Sequence, residues 1–196
     1  MDRALKCVEL NNINKGINIL TVTFWYGQDT NMEWCYLLGD FGVFLQGDQA
    51  MIRERPKRLG LSDITVQGFP FYGGNVTYKL PVKGKAEILE MQFPEYNAVL
   101  LSGEIDGEQS QDFYKEPHKI RFKTVKEKEQ EVHITAYGSR INTFGQLHDC
   151  NPREEYYGPK TWRTKGKNWC YTYQIRPSGI LVPPVIKWIS KTAKKN

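Results

Sequence analysis

The densest run of chemistry-bearing side chains lies between Asn151 and Trp169. There Tyr156, Tyr157, Trp162 and Trp169 are interleaved with Arg153, Lys160, Arg163, Lys165 and Lys167. Flat apolar rings beside fixed donors suit a sugar, whose C–H groups stack on a ring while its hydroxyls take hydrogen bonds. The same mixture suits a single-stranded nucleic acid. It also suits an interface with a sister domain, where Trp, Tyr and Arg are enriched. Aromatic loops in a sandwich often cover its open edge or end. That places the interface reading first for this loop, sugar second and nucleic acid a distant third. Within the loop the sugar-contact candidates are Trp162 and Arg163, with Tyr157 or Trp169 beside them.

Other chemistry has less support. Glycoside hydrolysis needs two carboxylates at a set separation. The acids include Glu33, Asp40, Glu104, Asp106, Asp149, Glu154 and Glu155, and most fall in turns, where they are solvated or bond local backbone. Glu33, inside an apolar run beside Trp34, needs a partner, and an Arg or backbone amides would serve. The three histidines, His118, His133 and His148, are far apart in sequence. His133 reads as an ordinary strand residue. His148 is the better binding candidate, though a structural hydrogen bond is its simpler role. No nucleophile elbow, P-loop or H-E-x-x-H motif occurs. Cys7, Cys35, Cys150 and Cys170 form no C-x-x-C pair, which argues against zinc. Cys35 and Cys170 read first as buried free thiols in strand-like runs; a disulfide between two of the four cysteines is the lower-ranked alternative, because the spacing is unlike a disulfide framework. The expectation is no catalytic residue, no metal and no cofactor.

Composition agrees with a soluble globular chain: 196 residues, 40% hydrophobic, 13% aromatic and 25% charged. That is enough for one sizeable core or one and a half small ones. The net charge of +5 is concentrated near the end, at Lys187, Lys191, Lys194 and Lys195, and reads as a solvated tail. No apolar stretch is long enough to span a bilayer, and no apolar core follows Met1 to Arg3. Neither a nucleic acid nor a membrane is an expected partner.

The elements that must position these residues read as almost all β. A pattern occurs twice: Gly16 to Gly27 (GINILTVTFWYG) and Glu131 to Gly138 (EVHITAYG) are alternating runs ending in Tyr-Gly, each followed by a polar loop with an Asn, Asn31 and Asn142. The echo suggests two related β units. Ile17 to Trp25 is apolar on both faces and reads as a central strand. Further strands are expected at Leu5 to Leu10, as a pair within Glu33 to Gln46 around a turn at Gly39 to Gly42, and at Gln49 to Arg55. They continue at Ile64 to Phe69, Asn75 to Pro81, Ala86 to Phe93, Ala98 to Ile105, His118 to Phe122, Val132 to Tyr137, Trp169 to Arg176 and Leu181 to Trp188. Asp106-Gly107 marks a tight hairpin. Pro56 to Ser62 reads as a linker. A short helix is expected near Ile141 to His148 and a frayed one near Lys187 to Lys195. Short strands with Gly/Pro turns indicate a β-sandwich of jelly-roll type.

These residues carry a resemblance. Val99 to Gln109 (VLLSGEIDGEQ), then Glu116 to Phe122 (EPHKIRF), then Val132 to His148 (VHITAYGSRINTFGQLH) resemble the second half of a galactose-binding-like jelly roll, as found in accessory domains of large multidomain glycoside hydrolases. Gln67 to Tyr78 resembles the opening of the same domain. Trp34 to Val43 resembles the segment that joins a preceding sandwich to it. The resemblance runs from about Gly16 to about Ile186. It implies an all-β jelly-roll sandwich over residues 59–196, with 1–58 as terminal strands of, or a connection from, a preceding β domain. It implies a non-catalytic accessory module with two partners, a carbohydrate and a catalytic domain of the same polypeptide. The alternative is an architectural domain that supports the catalytic domain and binds nothing small. The loop residues Asn142 and His148 join Trp162, Arg163, Tyr157 and Trp169 as the carbohydrate-binding candidates.

Overall fold

A computed structural model describes residues 7–11, 13–28, 30, 35–108, 110–151, 153, 158 and 162–190. The chain divides into two compact units, residues 1–38 and 39–196.

In the second unit, β1 (Phe41–Gln46) and β2 (Gln49–Glu54) form a hairpin whose turn is Gly47-Asp48, with Gly47 at φ 64°. The turn expected at Gly39 to Gly42 is therefore displaced: Phe41 and Gly42 already belong to the strand. The main body contains β3 (Val76–Lys83), β4 (Ile88–Gln92), β5 (Tyr96–Asn97), β6 (Leu101–Ile105), β7 (Gln111–Phe113), β8 (Lys119–Lys123), β9 (Glu129–Ala136), the single-turn helix α1 (Ile141–Phe144), β10 (Gly179–Ile180) and β11 (Val185–Ile189). One sheet has the order β3-β9-β6-β7 and another β11-β4-β8. Two-stranded pairs β1-β2 and β10-β5 complete the set, and every pairing is antiparallel.

The two larger sheets share one core. Tyr78, Leu101, Ile105, Phe113, Val132 and Ile134 come from the four-stranded sheet. Leu89, Met91, Ile120 and Phe122 come from the three-stranded one. Alternation explains this: Val132, Ile134 and Ala136 of β9 are buried, while Glu129, Glu131, His133 and Thr135 lie toward the other face. Each such buried side chain contributes roughly 1.5–3 kcal/mol. Gly103 of β6 lies where side chains of the facing sheet press close to the backbone. A Cβ placed on it would sit 2.5 Å from Ile120 Cδ1 and 3.0 Å from Phe122 Cζ on the facing sheet. The architecture is all-β, with several antiparallel sheets arranged as in a β-sandwich.

Asp106 and Gly107 both take positive φ, 50° and 76°, and the Glu108 amide donates to the Ile105 carbonyl at 2.9 Å, so the expected tight turn follows β6. Asp106 Oδ1 accepts from the Glu131 amide at 2.9 Å, which fastens that turn to β9.

Several expectations are corrected. Ile17 to Trp25 forms no strand, and Ile17, Ile19 and Trp25 are 94%, 88% and 98% exposed. The alternation is present, but no ladder partner lies among the described residues. Only the second copy of the repeated pattern follows a strand, β9. Residues 7–10 carry no strand either. Ile64 to Phe69 is a turn, because the Gln67 and Phe69 amides both donate to the Ile64 carbonyl and Gly68 takes φ 97°. The Gln67 side chain bonds Gly60, Ser62 and Asp63, which orders the segment read as a linker. Trp169 to Arg176 is not a strand and keeps a single bridge, Asp149 to Trp169. The helix near Ile141 stops at Phe144. Val185–Ile189 is strand where a helix was expected from Lys187, and residues 191–196 lie outside the described set. Cys35 is exposed and Cys170 only half-buried, and neither lies in a strand.

Candidate carbohydrate site

Beyond β9 the chain turns through Tyr137-Gly138 into α1. The turn is tight: a Cβ on Gly138 would meet the Gly74 carbonyl oxygen at 2.2 Å, so only glycine fits. Thr143 Oγ1 donates to the Phe71 carbonyl at 2.8 Å and holds α1 against the Pro70 to Gly74 turn. Asn142 is buried at 4% exposure. Its Nδ2 donates to the Arg176 carbonyl at 2.7 Å, and its Oδ1 accepts from the Arg176 amide at 3.1 Å. Both ends of the amide are engaged by backbone, so Asn142 positions the Arg176 segment beside α1.

The two segments so joined, 146–151 and 168–176, run antiparallel. Cys170 N–H donates to the His148 carbonyl at 3.0 Å, Cys150 N–H to the Asn168 carbonyl at 2.9 Å, and Gln174 N–H to the Leu147 carbonyl at 2.7 Å. Between them and α1 is a cavity of about 320 Å³. Its polar lining includes Gln146, Asp149, Gln174 and Arg176; Tyr173 supplies a ring, and Ile141, Leu147 and Ile175 supply apolar wall. Asp149 Oδ1 accepts from the Asn151 amide at 2.9 Å. Asp149 Oδ2 is buried and has no hydrogen-bond partner among the described residues. An orphaned carboxylate oxygen is costly, and a hydroxyl donor would satisfy it.

A row of rings leads away from the cavity. Tyr173 meets Phe71 at 5.3 Å and His148 at 4.9 Å, His148 meets Trp169 at 5.7 Å, and Trp169 meets Tyr171 edge-on at 4.5 Å. Tyr171, at the outer end, is 73% exposed. His148 Nδ1 lies 3.0 Å from the Cys170 carbonyl. A carbonyl only accepts, so Nδ1 is the donor and Nε2 is left for other contacts.

The structure thus brings Asn142, His148 and Trp169 into one neighbourhood. Trp162, half exposed, and Arg163 are not among the described residues that line the cavity. Tyr157 lies outside the described residues, as do Glu33, Glu154 and Glu155. Gln146, Tyr171, Tyr173 and Gln174 were not singled out from sequence. The signal in the sequence is the spacing of Tyr171 and Tyr173, two rings two residues apart within the run from Trp169 to Arg176. Among the other acids, Asp40 pairs with Arg55 at 2.5 Å on the surface and Glu104 with His133 at 3.0 Å. His118 packs edge-on against Tyr96 at 5.0 Å. No group of three or more His, Cys, Asp or Glu positioned to hold a metal occurs among the described residues.

No protein-family model matches the chain. No curated protein matches it. Among solved structures, the chain is similar to a rhamnosidase from Novosphingobium sp. PP1Y, at 16% identity and a TM-score of 0.46. The likeness covers 74% of this chain and 14% of the rhamnosidase, so the chain spans a small part of that protein's length. A likeness of this size carries no function from one protein to the other.

Proposed function

We propose that this chain is a non-catalytic β-sandwich accessory module of a larger glycoside hydrolase, of the galactose-binding-like jelly-roll kind, and that it binds carbohydrate in the cavity beside Tyr173. The module takes in residues 59–196, with 1–58 connecting it to a preceding β domain. The observation that carries the reading is the Asp149 carboxylate. Asp149, whose buried Oδ2 has no partner among the described residues, lines a cavity whose other polar residues are Asn142, Gln146, Gln174 and the charged Arg176. That set accepts from and donates to a cluster of hydroxyls, and Tyr173 offers a ring for the C–H face of a sugar. The resemblance of Val132 to His148 to the accessory-domain loop supports the same place.

A specific observation favours the second reading, an architectural domain that packs against a catalytic domain. Phe71, Tyr173, His148 and Trp169 are half-buried by their own chain, and Asn142 is wholly engaged by backbone. Titration calorimetry with rhamnose-, galactose- and glucose-containing oligosaccharides separates the two. The carbohydrate reading expects saturable heat with one class, weak because a shallow site orders several side chains, with Kd of about 0.1–1 mM. Asp149→Asn replaces an acceptor with a donor and is expected to weaken binding roughly 10–100-fold, the worth of a hydrogen bond to a charged group. Trp162→Ala is expected to leave binding unchanged. Absence of heat with every sugar, from protein whose melting is cooperative, selects the architectural reading.

A further inference from the structure

Cys150 and Cys170 occupy the two antiparallel segments that wall the cavity. Their backbones fix the register: Cys150 lies opposite Asn168, and Cys170 lies opposite His148. Residues two apart on such a ribbon share a face, so Cys150 and Cys170 lie on the same side, on a diagonal. The other contacts of the two sulfurs are to nearby backbone and to Gln174. Cys150 Sγ reaches the Lys167 carbonyl at 3.8 Å, and Cys170 Sγ reaches the Thr172 carbonyl at 3.2 Å. Gln174 Nε2 donates to Cys170 Sγ at 3.2 Å. From the juxtaposition of Cys150 and Cys170 across the Asp149–Trp169 bridge, we propose that they form a dithiol site that a small-molecule disulfide oxidises reversibly to an intramolecular disulfide.

Closure requires the two segments to draw together by about 1 Å. Diagonal neighbours in a ladder have Cα atoms about 7–8 Å apart, and a disulfide spans about 4.4–6.8 Å. One isolated bridge leaves the two segments freer to close that gap than a long ladder would. The Cys170 thiol is held above its ordinary range, chiefly by burial and then by the adjacent Cys150 thiol. Either thiol can open the exchange; in one order Cys150 does. The Cys150 thiolate attacks one sulfur of the reagent, breaking its S–S bond and expelling one thiolate, which takes a proton. Cys170 gives up its proton and attacks the Cys150 sulfur of the mixed disulfide, expelling the second thiolate. Two electrons pass from the protein thiols to the reagent, which leaves as two thiols. Oxidation covalently ties the wall that carries Gln146 and Asp149 to the wall that carries Gln174. The site does not depend on what the cavity binds.

The test uses the full chain and oxidised glutathione. Protein equilibrated in glutathione buffers of rising oxidation is quenched with acid, alkylated and mapped by peptide mass spectrometry. The expected result is a Cys150–Cys170 linked peptide pair, appearing at an oxidised-to-reduced ratio about tenfold lower than the one that modifies Cys7 or Cys35. In Cys170→Ser, Cys150 is expected to stop at the mixed disulfide with glutathione. Separate glutathione adducts on Cys150 and Cys170 in the wild-type chain, or thiols that stay free after Cys7 and Cys35 have reacted, would overturn the proposal.

Discussion

Glu90 shows how single residues set the electrostatics of this fold. It lies in the middle of β4, only 4% exposed, between Leu89 and Met91 of the core. The sheet register places a cation opposite it on each side, Arg121 of β8 and Lys187 of β11. Arg121 Nε and Nη2 both reach Glu90 Oε2 at 2.7 Å, and Lys119 Nζ stands 3.6 Å from Oε1. The hydrogen bond from Arg121 is the chief reason the Glu90 carboxyl is held below the usual range. Asp106 is likewise lowered, mainly by the Glu131 amide and then by Gln130. His133 goes the other way: Glu131, with Glu104 on the opposite side of the ring, raises it. A lowered carboxyl gives stability that is present above its unfolded pKa of about 4 and lost as pH falls through the folded value. A raised histidine gives stability that is present below about 6.5 and lost as pH rises through its folded value. The melting temperature is therefore expected to peak between about pH 5 and 6.5. Glu90→Gln should flatten the acid limb and His133→Gln the alkaline limb in fluorimetric melts; unchanged limbs in both variants would contradict the assignment. Glu90 was hard to pick out from sequence, because one acid in an apolar run looks the same whether or not a sheet brings cations to both its sides. Glu33 invited the same question and lies outside the described residues.

At the scale of elements, Gly103 sets the distance between sheets. Its missing Cβ leaves room for Ile120, Phe122 and Ile134. Gly103→Val would drive two methyl groups into that contact and is expected to cost about 1–3 kcal/mol, read as a lower urea midpoint with unchanged m-value. A midpoint equal to that of the wild type would mean that the sheets do not pack there. β3, β8 and β9 were legible because each buries one face, which writes a period of two into the sequence, whereas β4 and β6 are buried on both faces and were legible as short apolar runs. Ile64 to Phe69 was misread for the same reason: its apolar residues alternate, but Gly68 and the doubly used Ile64 carbonyl make a turn that alternation cannot reveal. The walls of the candidate site carried a weaker signal still. Segments 146–151 and 168–176 are held by one bridge and by a buried asparagine, neither of which imposes a period. Asn142, His148 and Trp169 were found by residue type and motif, whereas Asp149 became distinctive only once its Oδ2 was seen to be buried.

For the molecule as a whole, the two compact units are built differently. Residues 39–196 hold every helix and strand found among the described residues, and the core with them. Residues 17–26 carry a strand's pattern without a ladder: Leu20, Val22, Phe24, Trp25 and Tyr26 are all exposed. The pattern was legible and its setting was not, because a sequence states which side chains seek burial and not which sheet supplies it. A protease takes its substrate in extended form, with several residues of free backbone, and cleavage reports how readily such backbone is offered. Phe24, Trp25 and Tyr26 offer three adjacent aromatic side chains of the kind chymotrypsin selects, whereas Phe93, Phe113 and Phe122 are locked in the sandwich. Brief digestion at low enzyme ratio is therefore expected to cut first after residues 24–26 and to leave a fragment containing 39–190 that outlasts the parent chain. Mass spectrometry of the early products checks this, and first cuts at Tyr114 or Tyr171 would show the weak point to be elsewhere. The exposed stretch that departs most from the strand reading would then serve as the chain's natural point of scission.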